Sequence, residues 1–263
     1  MKHKPRKRFG QNFLVDQTII QRIVDSINTG PGQTVVEIGP GQGALTLPLL
    51  KTGCDLHVIE IDRDLVAKLR LDYPVQLNDE RRFFLHQADA LRADIGEIAG
   101  VDNFKLVGNL PYNISTPLIF HTFNWRKQIS EMLFMLQKEV VDRMAASAGD
   151  GKSYGRLSVM TQYYCKVEPL FTVPPGAFFP PPQVHSSIVR LIPHNSLPVK
   201  VKDEDRFDKV VKAAFGMRRK TLRNALKLLM TADEITAAGI QPSARAEQLS
   251  LEEFAALANH VCG

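Results

Sequence analysis

The sequence predicts an α/β fold in which helices cover a parallel β-sheet, followed by a smaller domain built only of helices. From about Thr34, short runs rich in β-branched residues alternate with stretches that carry apolar residues at three- and four-residue spacing, as strands and crossover helices do. Beyond Pro193 only the helical spacing continues. We therefore expect one domain over residues 1–193 and a second over residues 194–263.

The individual elements follow from the same patterns. Asp16 is a candidate N-cap for an amphipathic helix over residues 18–27. The proline-dense stretch 174–182 can be neither a helix nor a central strand, so we expect an ordered loop or a linker there. The predicted strands cover residues 34–38, 55–60, 82–87, 105–109, 132–137 and 187–192. The other predicted helices cover residues 44–51, 64–71, 116–123, 139–146, 206–215, 220–230, 231–238 and 251–261.

Length and composition are those of a globular cytoplasmic protein. The 263 residues are 44% hydrophobic and 23% charged, which is enough for a large core. We find no apolar run long enough to span a bilayer, and the polar residues after the basic start argue against a secretion signal. The cysteines, Cys54, Cys165 and Cys262, are few and widely spaced. We expect a cytoplasmic location, no membrane association and no metal.

Positive charge is concentrated in two segments. Five of the first eight residues are Lys or Arg and account for the formal net charge of +5, while residues 206–227 carry +7 within an otherwise balanced remainder. Such clusters are suited to binding the phosphates of a nucleic acid, although a solvated tail and a solvated helix face are the commoner meaning of any single charge run. The candidate RNA-binding residues are Arg6, Lys7, Arg8, Arg218, Arg219, Lys220, Arg223 and Lys227.

A glycine-rich turn after the first predicted strand indicates a nucleotide-like cofactor. Gly39 and Gly41 lie where the chain must turn tightly into a helix and let a ligand approach the backbone, as in Rossmann-like folds. Glu60 ends the second strand about twenty residues later, where a carboxylate can accept both ribose hydroxyls. Asp89, after the third strand, can accept from an adenine amino group or simply cap a turn. These features also fit an NAD-dependent oxidoreductase.

The tetrapeptide Asn109-Leu110-Pro111-Tyr112 ends the fourth predicted strand and indicates an acceptor site for an adenine amine. The lone pair of that nitrogen is delocalised into the ring, so a catalyst must place hydrogen-bond acceptors against its N–H groups. The Asn109 side-chain oxygen and the Leu110 carbonyl are the candidates, and Tyr112 can stack on the purine. A strand end followed by a simple proline turn is the alternative interpretation.

The proline-rich loop offers a second aromatic wall for the base. Phe178 is held in a stretch with little conformational freedom, and base–aromatic stacking contributes about 1 to 3 kcal/mol. Phe178 and Phe179 could equally fill the hydrophobic core.

Together these motifs resemble those of one family, the dimethyladenosine transferases of small-subunit ribosomal RNA, whose bacterial member is linked to kasugamycin sensitivity. The resemblance covers nearly the whole chain. It implies a Rossmann-like class I S-adenosylmethionine methyltransferase sheet with a smaller all-helical C-terminal domain. The matching segments are RKRFGQNFL at 6–14, EIGPG at 37–41, NLPYNIS at 109–115, MLQKE at 135–139, YGRLS at 154–158 and RRKT at 218–221.

The resemblance also implies roles for individual residues. Two positions depart from the expected pattern: Phe179, where we expect a smaller or polar residue, and the pair Gln42-Gly43 in the glycine loop. Implied contacts to S-adenosylmethionine are Asn12, Leu14, Gly39, Gly41, Glu60, Asp89 and Asn109. Implied residues of the target-base pocket are Asn109, Leu110, Tyr112 and Phe178. Residues 1–15 would form a basic segment that also covers the cofactor.

The predicted function is therefore transfer of methyl groups from S-adenosylmethionine to N6 of two adjacent adenosines near the 3′ end of 16S ribosomal RNA, in the small ribosomal subunit. We expect a monomer, because no large apolar surface stripe is evident. Three alternatives stay open: a macrolide-resistance type methyltransferase of 23S ribosomal RNA, an NAD-dependent oxidoreductase, and a ribosome-assembly factor without catalysis.

Overall fold

A computed structural model describes residues 12–74 and 82–260. Its strands are β1 (Phe13–Leu14), β2 (Thr34–Ile38), β3 (Asp55–Glu60), β4 (Phe83–Gln87), β5 (Phe104–Asn109), β6 (Ile129–Gln137), β7 (Cys165–Val173), β8 (Phe178–Phe179) and β9 (Ser186–Pro193). Its α-helices are α1 (Gln17–Ile27), α2 (Thr46–Lys51), α3 (Arg63–Asp72), α4 (Ile95–Ala99), α5 (Ser115–Thr122), α6 (Lys138–Ala145), α7 (Arg156–Tyr164), α8 (Glu204–Gly216), α9 (Leu222–Ala225), α10 (Ala232–Ala237) and α11 (Leu251–His260).

Seven strands form one sheet in the order β4-β3-β2-β5-β6-β9-β7. The strands from β4 to β6 in this order are parallel, and β9 runs antiparallel to β6. All five residues of β2 are buried, as expected for a central strand covered on both faces. The predicted α/β class with a parallel sheet is confirmed. Because the chain passes from β2 outward to β3 on one side and later returns to β5 on the other, a ligand crevice is expected at the carboxyl ends of β2 and β5.

Helix α1 is defined at both ends by its own sequence and by the sheet. Asp16 caps its start by accepting from the Ile19 amide at 3.0 Å, as predicted, and Asn28 ends it in the left-handed conformation. Lys105 of β5 donates to the carbonyls of Ile27 and Asn28 at 2.7 and 2.9 Å. The helix is thereby held against the sheet, and β1 directly precedes it.

Strands β1 and β8 form a separate two-stranded antiparallel ribbon, which the sequence did not predict. Phe13 pairs with Phe179, and Leu14 pairs with Phe178. Strands of two residues are too short to show an alternating pattern. The ribbon connects the proline-rich loop with the segment that enters α1.

Strand β7 was also missed, because it does not look like a strand in the sequence. It contains Pro169 between Glu168 and Leu170, and its buried residues do not alternate. It lies at the edge of the sheet, where proline is tolerated because one side of an edge strand needs no backbone donor.

The chain divides into two compact units, and the division differs from the predicted domains in one segment. The first unit comprises residues up to 141 together with 168–193, and the second comprises 142–167 together with the residues from 194 onward. The break after Pro193 falls where a boundary was predicted. Residues 142–167, which we assigned to the first domain, group with the second. The reason is tertiary: Arg156 of α7 binds Asp208 of α8 at 2.7 Å, and the Tyr154 hydroxyl donates to the Leu249 carbonyl at 2.9 Å.

The predicted helix over residues 220–230 is wrong in extent, since α9 covers only Leu222–Ala225. The Leu222 and Arg223 amides donate to the carbonyls of Ala244 and Pro242 at 2.8 and 3.0 Å, so long-range contacts fix the start. The helix ends in a tight turn, in which the Leu229 amide donates to the Leu226 carbonyl at 2.7 Å. Arg219 and Lys227 therefore lie in turns on either side of α9, and they do not share a helix face with Arg223.

Candidate cofactor and acceptor site

A cavity of about 240 Å³ opens at the carboxyl ends of β2, β3, β4 and β5, where the sheet topology predicts a ligand site. It lies within the first unit, and its walls are mostly apolar with a few polar groups, as is usual for small-molecule sites. The predicted site residues that line it are Asn12, Leu14, Gly39, Gly41, Glu60, Asp89, Asn109, Leu110 and Tyr112.

The glycine loop after β2 has the backbone that its sequence predicts. Gly41 adopts a left-handed φ of +58°, and a β-carbon there would lie 3.2 Å from the Phe13 ring. Phe13 therefore packs directly over the loop. Glycine at this position keeps the backbone of the loop accessible from the cavity.

The unexpected Gly43 has a packing explanation. Its φ is +85°, and a β-carbon would lie 2.6 Å from the Tyr73 hydroxyl oxygen. Tyr73 is buried in the hydrophobic core, and that burial raises the pKa of its hydroxyl to about 12. The Tyr73 hydroxyl thus occupies the space behind the glycine loop that a side chain at position 43 would need.

Glu60 at the end of β3 is held by backbone amides. One carboxylate oxygen accepts from the Gly41 amide at 3.3 Å, and the other accepts from the Asp62 amide at 2.8 Å. Burial raises the pKa of the Glu60 carboxyl, and these hydrogen bonds oppose the shift. The arrangement links the glycine loop to the end of β3 through one side chain.

Glu37 is a wall residue that the sequence interpretation missed. Its side chain is 2% exposed and accepts a hydrogen bond from the Thr46 hydroxyl at 2.7 Å. Burial, assisted by the nearby Glu60, raises the pKa of Glu37 to about 8. The sequence feature that could have identified Glu37 is a carboxylate among the apolar residues of a central strand, where burying a charge is costly.

Asp89 caps a turn and also borders the cavity. One carboxylate oxygen accepts from the Leu91 amide at 3.0 Å and caps the turn after β4. The other lies 3.7 Å from the exposed Arg92 guanidinium, and the residue also lines the cavity. Capping fixes the direction of the carboxylate.

Asn109, at the end of β5, is oriented by a hydrogen bond from its amide nitrogen to the Asn12 carbonyl at 3.1 Å. Its side-chain oxygen is therefore the group left to accept from a ligand. The Leu110 amide donates to the Met135 carbonyl at 3.2 Å. Among residues 12–74 and 82–260, no group donates to the Leu110 carbonyl. Two potential acceptors thus lie side by side next to the cavity.

Tyr112 is positioned by a partner that the sequence did not reveal. Its hydroxyl lies 2.9 Å from the hydroxyl of Ser186 at the start of β9, and burial raises the pKa of the Tyr112 phenol. Its backbone carbonyl accepts from the Ser115 hydroxyl at 3.2 Å, which ties it to the start of α5. The ring is half-buried, with both ends of the residue restrained.

Phe178 and Phe179 have opposite environments. Phe178 is 4% exposed, packs in the main hydrophobic core and does not line the cavity, so this structure shows the core position that we left open. Phe179 is 65% exposed. A stacking role for Phe178 would require its ring to move.

The predicted RNA-binding residues differ in availability. Arg6, Lys7 and Arg8 lie outside the described residues. Arg218 is half-buried: it pairs with Glu247 at 3.1 Å and donates to the Gly151 carbonyl, so it contributes to the folded structure. Arg219, Lys220, Arg223 and Lys227 are exposed.

Two features are absent from the described ranges. No helix there is long and apolar enough to cross a membrane. Residues 12–74 and 82–260 also contain no cluster of three or more potential metal-binding side chains.

The family model described as "Ribosomal RNA adenine dimethylase" matches residues 2–262. The chain belongs to this family. Ribosomal RNA small subunit methyltransferase A from Pseudomonas syringae pv. tomato is 54% identical to this chain over 258 residues. The matched region covers 98% of this chain and 94% of the relative. The protein of the same name from Vibrio parahaemolyticus is 52% identical over 98% of this chain and 94% of its own. The predicted resemblance is confirmed.

Two solved methyltransferase structures have the same fold. A dimethyladenosine transferase from Plasmodium falciparum superimposes with a TM-score of 0.76 at 26% identity, covering 93% of this chain and 95% of that one. The 23S rRNA methyltransferase ErmE gives a TM-score of 0.71 at 25% identity, covering 96% of this chain and all of the other. Family membership removes the NAD-dependent oxidoreductase from the alternatives.

Proposed function

We propose that this protein transfers methyl groups from S-adenosylmethionine to N6 of two adjacent adenosines near the 3′ end of 16S ribosomal RNA, during formation of the small ribosomal subunit. The observation that carries the proposal is a single cavity bordered on one side by the Gly41 loop and Glu60, and on the other by Asn109 and Leu110. Relatives at 54% and 52% identity are named as small-subunit ribosomal RNA methyltransferases.

The residues at the cavity fit the cofactor. The accessible backbone at Gly41 suits the amino acid part, the buried carboxylate of Glu60 suits the ribose hydroxyls, and Asp89 suits the adenine amino group. Asn12 and Leu14 would cover it from the β1 side. When bound, S-adenosylmethionine supplies a methyl group on a positively charged sulfur, a good leaving group.

Asn109 and Leu110 would hold the acceptor amine. The Asn109 side-chain oxygen and the Leu110 carbonyl would accept from the two N–H groups and favour the pyramidal nitrogen that attacks the methyl. A strong base is unnecessary, because the amine becomes acidic once it has taken the methyl. In agreement, the described residues that line the cavity include neither histidine nor lysine.

Exposed basic residues would bind the RNA backbone. Arg219, Lys220, Arg223 and Lys227 are available for phosphates, and the basic residues Arg6, Lys7 and Arg8 would add to them. The target adenine would have to leave its stack to reach the cavity, which costs little in a loop or at a helix end. We propose that the protein does this as a monomer in the cytoplasm.

Methylation of 23S ribosomal RNA is the second candidate, favoured by the similarity to ErmE. The test is incubation with methyl-labelled S-adenosylmethionine and either under-methylated small subunits or large subunits, followed by nuclease digestion and mass spectrometry. Dimethyladenosine in the small-subunit RNA alone is the expected result. Label in the large-subunit RNA would favour the second candidate. RNA binding without label in either would indicate an assembly factor without catalysis.

A further inference from the structure

The β1/β8 ribbon has two faces of opposite character. In an antiparallel pair, directly opposed residues project to the same face, and neighbouring residues along a strand project to opposite faces. Leu14 and Phe178 are opposed, and both are buried in the main core at 5% and 4% exposure. Phe13 and Phe179 are opposed and share the other face.

The face that carries Phe13 is directed at the glycine loop. Phe13 lines the cavity, and its ring lies 3.2 Å from the position of a β-carbon on Gly41. Phe179 is its cross-strand neighbour but is not itself a wall of the cavity, and it is 65% exposed. Phe179 therefore presents an aromatic ring beside the cavity, next to a residue of its wall.

The backbone that carries the Phe179 ring is also held in place. Its strand is fixed by pairing to β1, by the buried Phe178 on one side and by three consecutive prolines, residues 180–182, on the other. The Val15 amide donates to the Ala177 carbonyl at 2.8 Å, which extends the ribbon by one further contact. Only the two side-chain torsions of Phe179 would then lose freedom when a flat partner stacks on the ring.

We propose that Phe179 stacks on a nucleobase of the RNA, next to the adenine that enters the cavity. This rests on the proposed function, because an RNA strand delivering a flipped base must pass beside the cavity. Stacking suits any base, so Phe179 would position the strand rather than select its sequence. Phe178 cannot provide this contact from its core position.

The experiment compares Phe179→Ala, Phe179→Leu and Phe179→Trp in the full chain, with Leu71→Ala as control because Leu71 is also a large apolar residue, 81% exposed, on α3. We expect Ala and Leu to weaken RNA binding roughly 5- to 100-fold, the range for loss of one stacked base. Trp should retain wild-type binding. Cofactor affinity and the unfolding midpoint should not change in any variant.

A second readout reports stacking itself. In small-subunit RNA carrying 2-aminopurine beside the target adenosine, wild-type protein and Phe179→Trp should quench the fluorescence, and Phe179→Ala should not. Wild-type binding by Phe179→Ala, full rescue by leucine, or a parallel loss of cofactor affinity would each overturn the inference while leaving methyl transfer by the wild type intact. Absence of transfer by the wild type would overturn the proposed function and this inference with it.

Discussion

Glu37 shows how strongly burial acts on one side chain. It lies in a central strand beside the cavity and accepts a hydrogen bond from the Thr46 hydroxyl, and its pKa of about 8 means that it is mostly protonated at neutral pH. A neutral Glu37 avoids placing a second charge beside Glu60, which would bind the cofactor ribose.

This protonation predicts a pH dependence of stability. Glu37 ionises near pH 4.5 in the unfolded chain and near 8 in the folded protein, so between these values the folded state keeps a proton that the unfolded state has lost. The contribution of Glu37 to the free energy of unfolding is fully present below pH 4.5 and is lost as the pH rises through 8. The free energy of unfolding should therefore fall with pH by up to about 1.4 kcal/mol per pH unit. Glu37→Gln should remove this slope in urea unfolding measured between pH 5 and 9. The exposed Glu97→Gln should keep it; an unchanged slope in Glu37→Gln would contradict the assignment.

Asn109 is the residue whose loss should separate chemistry from RNA binding. Asn109→Ala removes one oriented acceptor, and methyl transfer at saturating cofactor should fall by roughly 10²-fold or more, with RNA affinity nearly intact. Single-turnover methylation and filter binding measure the two. Asn103→Ala is the matched control, because Asn103 is exposed and directly precedes the same strand, β5, at the end far from Asn109. Loss of RNA binding in parallel with transfer would argue against an acceptor role.

At the scale of elements, the glycine loop depends on packing from α3 and the residue after it. Gly43 has two independent requirements, a left-handed backbone and room for the Tyr73 hydroxyl. Gly100, which ends α4, has a similar φ of +67° but nothing within 4 Å of a β-carbon. Gly43 is buried and has the additional steric requirement, whereas Gly100 is exposed and has only the backbone requirement.

Gly43→Ala should destabilise the protein by about 2 to 4 kcal/mol, against about 1 to 2 kcal/mol for Gly100→Ala, which has only the backbone cost. Tyr73→Phe removes the hydroxyl and should recover part of the difference in the double variant. The measurement is a double-mutant cycle by urea unfolding, with cofactor affinity determined for each protein. Additive effects of Gly43→Ala and Tyr73→Phe would contradict the contact.

At the scale of the whole molecule, the basic residues available to bind RNA are those that stay exposed in the folded protein. Arg218 pairs with Glu247, whereas Arg223 and Lys227 are exposed. Arg223→Ala with Lys227→Ala should weaken RNA binding and lower the slope of log affinity against log salt by about 1.5, the value for two phosphate contacts. Titrations at several salt concentrations measure it. Lys51→Ala with Arg70→Ala removes the same charge from exposed sites in the first unit and should leave the slope unchanged. Equal slopes for both pairs would contradict a specific RNA surface.

The sequence alone predicted the fold class, most strand and helix positions, the glycine loop with Glu60, and the strand-ending tetrapeptide at Asn109. These features are local: periodicity, caps and turn residues act within a few positions and leave a readable pattern. Their meeting at one cavity followed from the rule that parallel strands bring their carboxyl ends together.

The remaining features depend on tertiary contacts. The tertiary structure placed Phe178 in the core and Phe179 outside, gave Asn109 and Tyr112 their partners Asn12 and Ser186, and shortened the helix at Leu222. It also grouped residues 142–167 with the C-terminal helices. Each outcome depends on contacts between residues far apart in the chain, and such contacts leave no periodic trace in the sequence because nothing near either partner in the chain requires them.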